Sequence, residues 1–216
     1  RAGIKAGDRF IEIDGRDITG LSTAEVTKRI MGEKGTKVNI VVNRNGETLK
    51  FEVERDIVKI NPIESKIFGK GIGYIKINQF NENTVENLDK TLDEFKKNGV
   101  VGIVLDLRNN PGGYLDQAIE VAKRFVPQGP IVNLVTRDGK TQTFMSDSEP
   151  SPFSLVVLVN GGSASASEVL AGAIKDRNVG VLVGEQTFGK GMVQRTLSLG
   201  ALGGIKLTTA YYTTPN

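Results

Sequence analysis

The chain has 216 residues, enough for one or two domains with a sizeable core. Its 28 Lys and Arg against 25 Asp and Glu leave a net charge of +3. These charges are scattered and form no basic stripe interleaved with aromatics, so nucleic-acid binding has no support. Histidine and cysteine are absent, which removes disulfides, the usual zinc and copper ligands, and any chemistry that needs imidazole or thiolate. No cofactor and no metal is expected. Apolar runs such as "LVVLV" (155–159) are far too short to span a membrane.

Residues 1–56 read as a small β-rich module. "AGIKAGDRFIEIDG" (2–15) gives a turn, a short strand carrying Phe10, Ile11 and Ile13, and an Asp14–Gly15 turn. "STAEVTKRIMGEKG" (22–35) opens with Ser22 and Glu25 at capping-box spacing. It places Val26, Ile30 and Met31 on one face and should stop near Gly32. "TKVNIVVNRNGETLKFEVERD" (36–56) alternates on both sides of Asn45–Gly46, which predicts a hairpin. Periodicity then fails over 57–70, which reads as a connector.

From residue 71 onward strands alternate with helices. The pattern predicts strands at 71–77, 101–107, 131–136, 140–145, 155–159 and 180–183, with two more near 192–198 and 205–211. Helices are expected at 84–98, 115–125 and 165–176. "VVGIVLDL" (100–107) reads as a buried parallel strand, and the alternation argues for an α/β core of parallel strands with crossover helices. "SDSEPSP" (146–152) is a polar surface loop.

Three unusual loops follow buried strands: "RNNPGGY" (108–114), "NGGSASASE" (160–168) and "GEQTFGKGMVQ" (184–194). Ligands in open α/β sheets gather outside the carboxyl ends of the strands. Each glycine pair also fits a plain tight turn. Ser165, with Glu168 three residues on, suits a helix cap as well as a nucleophile. The two readings share a location, because a helix start offers unpaired N–H groups, here that of Ala166, to an oxyanion. A serine nucleophile needs a base, and without histidine the base must be Lys, Asp, Glu or Tyr. Lys190, between Gly189 and Gly191 with Phe188, Met192 and Val193 close by, is either a solvated loop lysine or such a base. An apolar pocket disfavours the charged form of a lysine, which a lysine acting as a base requires.

"DLRNNPGG", "NGGSASASE" and "GEQTFGKGMVQ", in this order, resemble the core motifs of the carboxyl-terminal processing (tail-specific) proteases, serine endopeptidases with a Ser–Lys dyad. "AGIKAGDRFIEIDG" resembles the second half of the PDZ domain those enzymes carry. The resemblance implies an α/β fold, with a core like that of the Clp protease subunit and the crotonases behind a partial PDZ module. By position it implies Ser165 as nucleophile, Lys190 as general base and Gln194 as the residue orienting the lysine. The oxyanion hole would come from Ala166 and the pair Gly112 and Gly113, with either glycine open as the donor. If Gln194 meets Lys190, residues 190–194 must bend, and Gly191 is the residue expected to supply the unusual φ.

The implied division is a partial PDZ domain at 1–56, a connector at 57–70 and a protease core at 71–216 that in the family usually continues further. The opening residues read like the middle of a domain. Implied partners are protein or peptide substrates with apolar C-terminal tails, with room for a homo-oligomer or an activating protein, and the implied location is extracytoplasmic. Two rivals stay open: a catalytically silent PDZ scaffold that binds tails, and a crotonase-type acyl-CoA enzyme.

Overall fold

The structure, a computed structural model, describes residues 2–57, 61–69, 71–199 and 203–216. Two compact units divide the chain, Arg1–Ile60 and Asn61–Asn216.

In the first unit, strands β1 (Arg9–Ile13), β2 (Arg16–Asp17), β3 (Lys37–Arg44) and β4 (Glu47–Glu54) form an antiparallel sheet in the order β2-β1-β3-β4. Helix α1 (Thr23–Ile30) packs on it through Val26 and Ile30, which join Ile13, Ile18, Val38, Ile40 and Val42 in one cluster. The predicted capping box is formed. Glu25 N–H donates to Ser22 Oγ at 3.3 Å, and Ser22 N–H donates to Glu25 Oε2 at 3.0 Å. Met31, expected on the apolar face, is instead the exposed C-cap residue. The last carbonyls of α1 find a partner in Arg55, whose guanidinium donates to Ile30 O at 2.6 Å and Arg29 O at 3.2 Å.

The second unit runs β5 (Ile63–Phe68), β6 (Ile72–Ile77), α2 (Thr84–Lys97), β7 (Gly102–Asp106), α3 (Leu115–Lys123), β8 (Gly129–Thr136) and β9 (Thr141–Ser146). It continues with β10 (Ser154–Val159), α4 (Ala166–Asp176), β11 (Val181–Gly184), β12 (Met192–Ser198) and β13 (Gly204–Thr213). Five strands form one sheet in the order β11-β10-β7-β6-β5, parallel except for β5, which pairs antiparallel with β6. Strand β5 falls within 57–70, the stretch that reads as a connector, of which residues 58–60 and 70 lie outside the described residues. Four more strands make an antiparallel sheet, β12-β13-β8-β9.

The crossover helices follow from the apolar stripes. Leu88, Leu92 and Phe95 of α2, Ala118, Ile119, Val121 and Ala122 of α3, and Val169, Leu170, Ala173 and Ile174 of α4 are buried against Ile75, Ile103, Leu105 and Val157. Strand β7 is not buried on both faces as its apolar run suggested. Val104, like Tyr74 and Val156 beside it, is only half-buried, because the helices cover one face of the sheet. Parallel β7, β10 and β11 all end on the same side. The three unusual loops therefore emerge together there.

Candidate active site

Ser165 sits at the turn from β10 into α4 with φ 57° and ψ −116°, a sparsely populated conformation for a residue with a Cβ. Its hydroxyl makes no capping hydrogen bond. Glu168 N–H donates to the backbone carbonyl of Ser165 at 2.8 Å, and Ser165 N–H donates to Glu168 Oε2 at 2.8 Å. The expected capping-box arrangement of Ser165 and Glu168 is in place, but the Glu168 N–H is bonded to the serine carbonyl and not to its hydroxyl. The flanking serines are spent on structure. Buried Ser163 donates to Leu107 O at 2.8 Å, and buried Ser167 donates to Asn110 O at 3.0 Å. Both lace the serine turn to the loop after β7.

That loop is organised by two buried polar residues. Asp106 is 1% exposed and takes a bidentate contact from Arg108 at 2.9 and 2.6 Å, plus the Tyr74 hydroxyl at 2.7 Å. Burial alone would push its carboxyl up, but Arg108 and Tyr74 together hold it below the usual aspartate range. Asn110 is fully buried. Its Nδ2 donates to Ile77 O at 2.8 Å, and its Oδ1 accepts Gly112 N–H at 2.9 Å. Gly112 carbonyl accepts Phe80 N–H, and Phe80 carbonyl accepts Tyr114 N–H, a parallel bridge that leaves Gly113 N–H pointing to the opposite side. Both glycines have positive φ, 100° and 143°, and both are pressed too close for a side chain. A Cβ on Gly112 would stand 2.8 Å from Ser165 Cβ, and one on Gly113 would stand 2.0 Å from Phe80 O.

The third loop carries Lys190. Glu168 holds it through three hydrogen bonds. Oε1 accepts Thr187 Oγ1 at 2.9 Å and Gly189 N–H at 2.6 Å, while Oε2 accepts Lys190 N–H at 2.9 Å beside the bond from Ser165 N–H. Tyr212, on β13, donates its hydroxyl to Lys190 O, and its oxygen lies 3.4 Å from Glu168 Oε2. Burial pushes the Tyr212 hydroxyl well up, and the Glu168 charge adds to it, so it stays a donor. Gly191 does not have the positive φ expected of it. Gly189, not Gly191, has the positive φ, 85°, and a bulge between Val193 and Gln194 shifts the register of β12 on β13.

One cavity of about 240 Å³ gathers the outcome. Ser165, Ala166, Gly113, Lys190 and Gln194 line it, and a second lysine, Lys206, joins them beside the apolar Leu115, Val169 and Val193. Gly112, an alternative oxyanion donor by sequence, is absent from that lining and has its N–H engaged by Asn110. Of the apolar neighbours of the lysine, Phe188 is 68% exposed, whereas Met192 lines the cavity.

Residues 71–216 match the family model described as Peptidase family S41, and residues 1–44 match that of the PDZ domain. The chain belongs to peptidase family S41. It is 38% identical over 221 residues to a carboxyl-terminal-processing protease of Synechocystis sp., covering 99% of this chain and 52% of the relative. It is 37% identical over 233 residues to the chloroplastic C-terminal processing peptidase of Tetradesmus obliquus, covering 100% of this chain and 50% of that protein. The solved photosystem II D1 C-terminal processing protease superposes with a TM-score of 0.65 at 36% identity, over 99% of this chain and 60% of that one. The chain thus spans about half the length of the curated relatives it matches.

Within this S41 chain, sequence reasoning missed Glu168 as a bridge, Tyr212 as a lysine-loop anchor and Asn110 as the holder of Gly112. Glu168 had a visible signal, its spacing from Ser165, which a local capping box absorbed. For Tyr212 there was none, because β13 reaches the site only through long-range pairing with β12 and β8.

Proposed function

We propose that the protein is a serine endopeptidase that cleaves unstructured C-terminal regions of other proteins, with Ser165 as nucleophile and Lys190 as general base. The observation carrying this reading is that Ser165 and Lys190 line one cavity together with two backbone N–H groups, those of Ala166 and Gly113, that have no acceptor among the described residues. Imidazole is not available anywhere in the sequence.

The Lys190 amine takes the Ser165 proton as Oγ attacks the scissile carbonyl carbon. Ala166 N–H, at the first position of α4, and Gly113 N–H receive the oxyanion, in a site that already points donors at it. Collapse breaks the C–N bond, and the Lys190 ammonium returns its proton to the leaving amine. Water then attacks the ester, again giving a proton to Lys190, and the acid departs as Ser165 recovers its hydrogen. Gln194, which lines the same cavity, orients the amine. Leu115, Val169 and Val193 accommodate an apolar side chain next to the cleaved bond. The PDZ-type unit at the amino end suits capture of a protein tail. We place the protein outside the cytoplasm, in the periplasm or cell envelope, on the strength of its family resemblance.

The test is labelling of the full-length protein with a serine-reactive phosphonate, read by peptide mapping. Modification at Ser165, with parallel loss of tail cleavage, supports the reading. Cleavage that survives Ser165→Ala overturns it.

A further inference from the structure

We propose that Asn110 is the positioning residue that selects Gly113 over Gly112 as the oxyanion donor and holds it in register with Ala166. The proposal rests on the Ser165 reading above. Its basis is the set of bonds that meet at this fully buried side chain and its backbone.

The amide has two ends, and both are used. Nδ2 anchors to Ile77 O at the end of β6, while Oδ1 takes Gly112 N–H. The first fixes the amide against the sheet, so the second removes Gly112 N–H from the pool of free donors. With Gly112 turned inward, its carbonyl meets Phe80 N–H, and the Gly113 N–H of the same trans peptide unit points the opposite way, toward the cavity that Gly113 lines. Meanwhile the backbone carbonyl of Asn110 accepts Ala164 N–H at 3.0 Å and Ser167 Oγ at 3.0 Å. Those donors flank Ser165 and Ala166 in the chain. One residue therefore fixes the glycine arm and the alanine arm of the oxyanion site relative to each other.

Asparagine is needed for this, not merely a polar residue of similar size. Aspartate at 110 keeps an acceptor for Gly112 but sets a second oxygen against Ile77 O, where no hydrogen is available to bridge them. Oxyanion donors are worth about 10²–10³ in rate when removed one at a time, and the effect falls on the transition state and not on substrate binding.

Two experiments on the full-length protein test this. In a complex with a peptide boronate, whose tetrahedral oxygen stands in for the oxyanion, that oxygen should lie about 2.7–3.1 Å from Gly113 N and Ala166 N. An oxygen bonded to Gly112 N, with the Asn110 amide turned away, overturns the proposal. Secondly, the Asn110→Asp variant should bind the boronate about 10²–10³-fold more weakly while KM shifts less than about threefold. Both constants are read on the residual active enzyme, so partial misfolding cannot imitate the split. Parallel changes, or no change, contradict the role. Ser165→Ala, run alongside, separates the cases: if it too retains cleavage, the Ser165 reading itself has failed.

Discussion

The carboxylate of Glu168 accepts the backbone N–H of Lys190 at 2.9 Å, across 22 residues of chain. The same oxygen accepts Ser165 N–H at 2.8 Å. A single charged group thus pins the backbone of both proposed dyad members, and it does so from the first turn of α4, where the helix end favours a negative charge. Hydrogen bonds to a charged acceptor contribute about 1.5–3 kcal/mol each, so this one carboxylate fixes the lysine loop more firmly than any apolar contact of Lys190 could.

Glu168→Gln should therefore lower kcat by about 10- to 100-fold, because an amide NH₂ then faces N–H groups that need an acceptor. Steady-state kinetics on folded enzyme checks this. Unchanged turnover would mean that the lysine loop is held by other contacts.

The neighbouring serines should separate sharply from Ser165. Ser163→Ala removes the donor to Leu107 O, and Ser167→Ala removes one of two donors to Asn110 O. Each should cost about 1–3 kcal/mol of stability with much of the activity retained. Ser163→Ala should lose more stability than Ser167→Ala, in which Ala164 N–H still holds the Asn110 carbonyl. Thermal melts beside kcat/KM decide the matter. Loss of activity in all three variants at temperatures where they are folded would argue for a purely structural turn.

Much of this was legible along the chain and some was not. Helices α2, α3 and α4 and parallel strands β6, β7 and β10 announce themselves through 3.6-residue stripes and short apolar runs, and these place the three loops. Strand β5 escaped because Ile63 is its one fully buried residue, so an edge strand with little core contact leaves almost no periodic trace. Glu168 was visible only as a local cap for Ser165, since nothing in the text links position 168 to positions 187–190. The choice between Gly112 and Gly113 turns on where an asparagine amide points, which depends on Ile77 from another strand. Contacts between distant segments carry the details of the site; local pattern carries its framework.

Glycine substitutions should grade by crowding. Gly112→Ala combines φ of 100° with a Cβ only 2.7 Å from Ala164 O, and should abolish activity while destabilising the fold by at least about 2 kcal/mol. Gly189→Ala meets nothing within 4 Å and faces only its φ of 85°, which costs about 1 kcal/mol. Denaturant melts and activity on the two variants test the order. A Gly189→Ala variant as damaged as Gly112→Ala would contradict it.

Acid stability should report on Asp106. Its folded pKa is lowered, so the wild-type contribution is complete above the ordinary aspartate value of about 3.9 and fades as pH falls through the lower folded value. In Arg108→Gln the burial of Asp106 loses its main opposition, and the folded pKa should rise. The variant then loses stability as pH rises above the ordinary aspartate value of about 3.9, a range in which the wild-type contribution is already complete and flat. Urea melts across that range distinguish the two, and parallel profiles would refute the pairing.

The claim on which the rest depends is that Lys190 acts as a base and not as a fixed positive charge. Lys190→Arg keeps the charge and most of the side-chain length, but guanidinium does not give up its proton in proteins. Tail cleavage by this variant in the full-length protein is the most direct measurement. Turnover should fall to the level of Ser165→Ala while the thermal melt stays near wild type. Turnover close to wild type would contradict the Ser–Lys account.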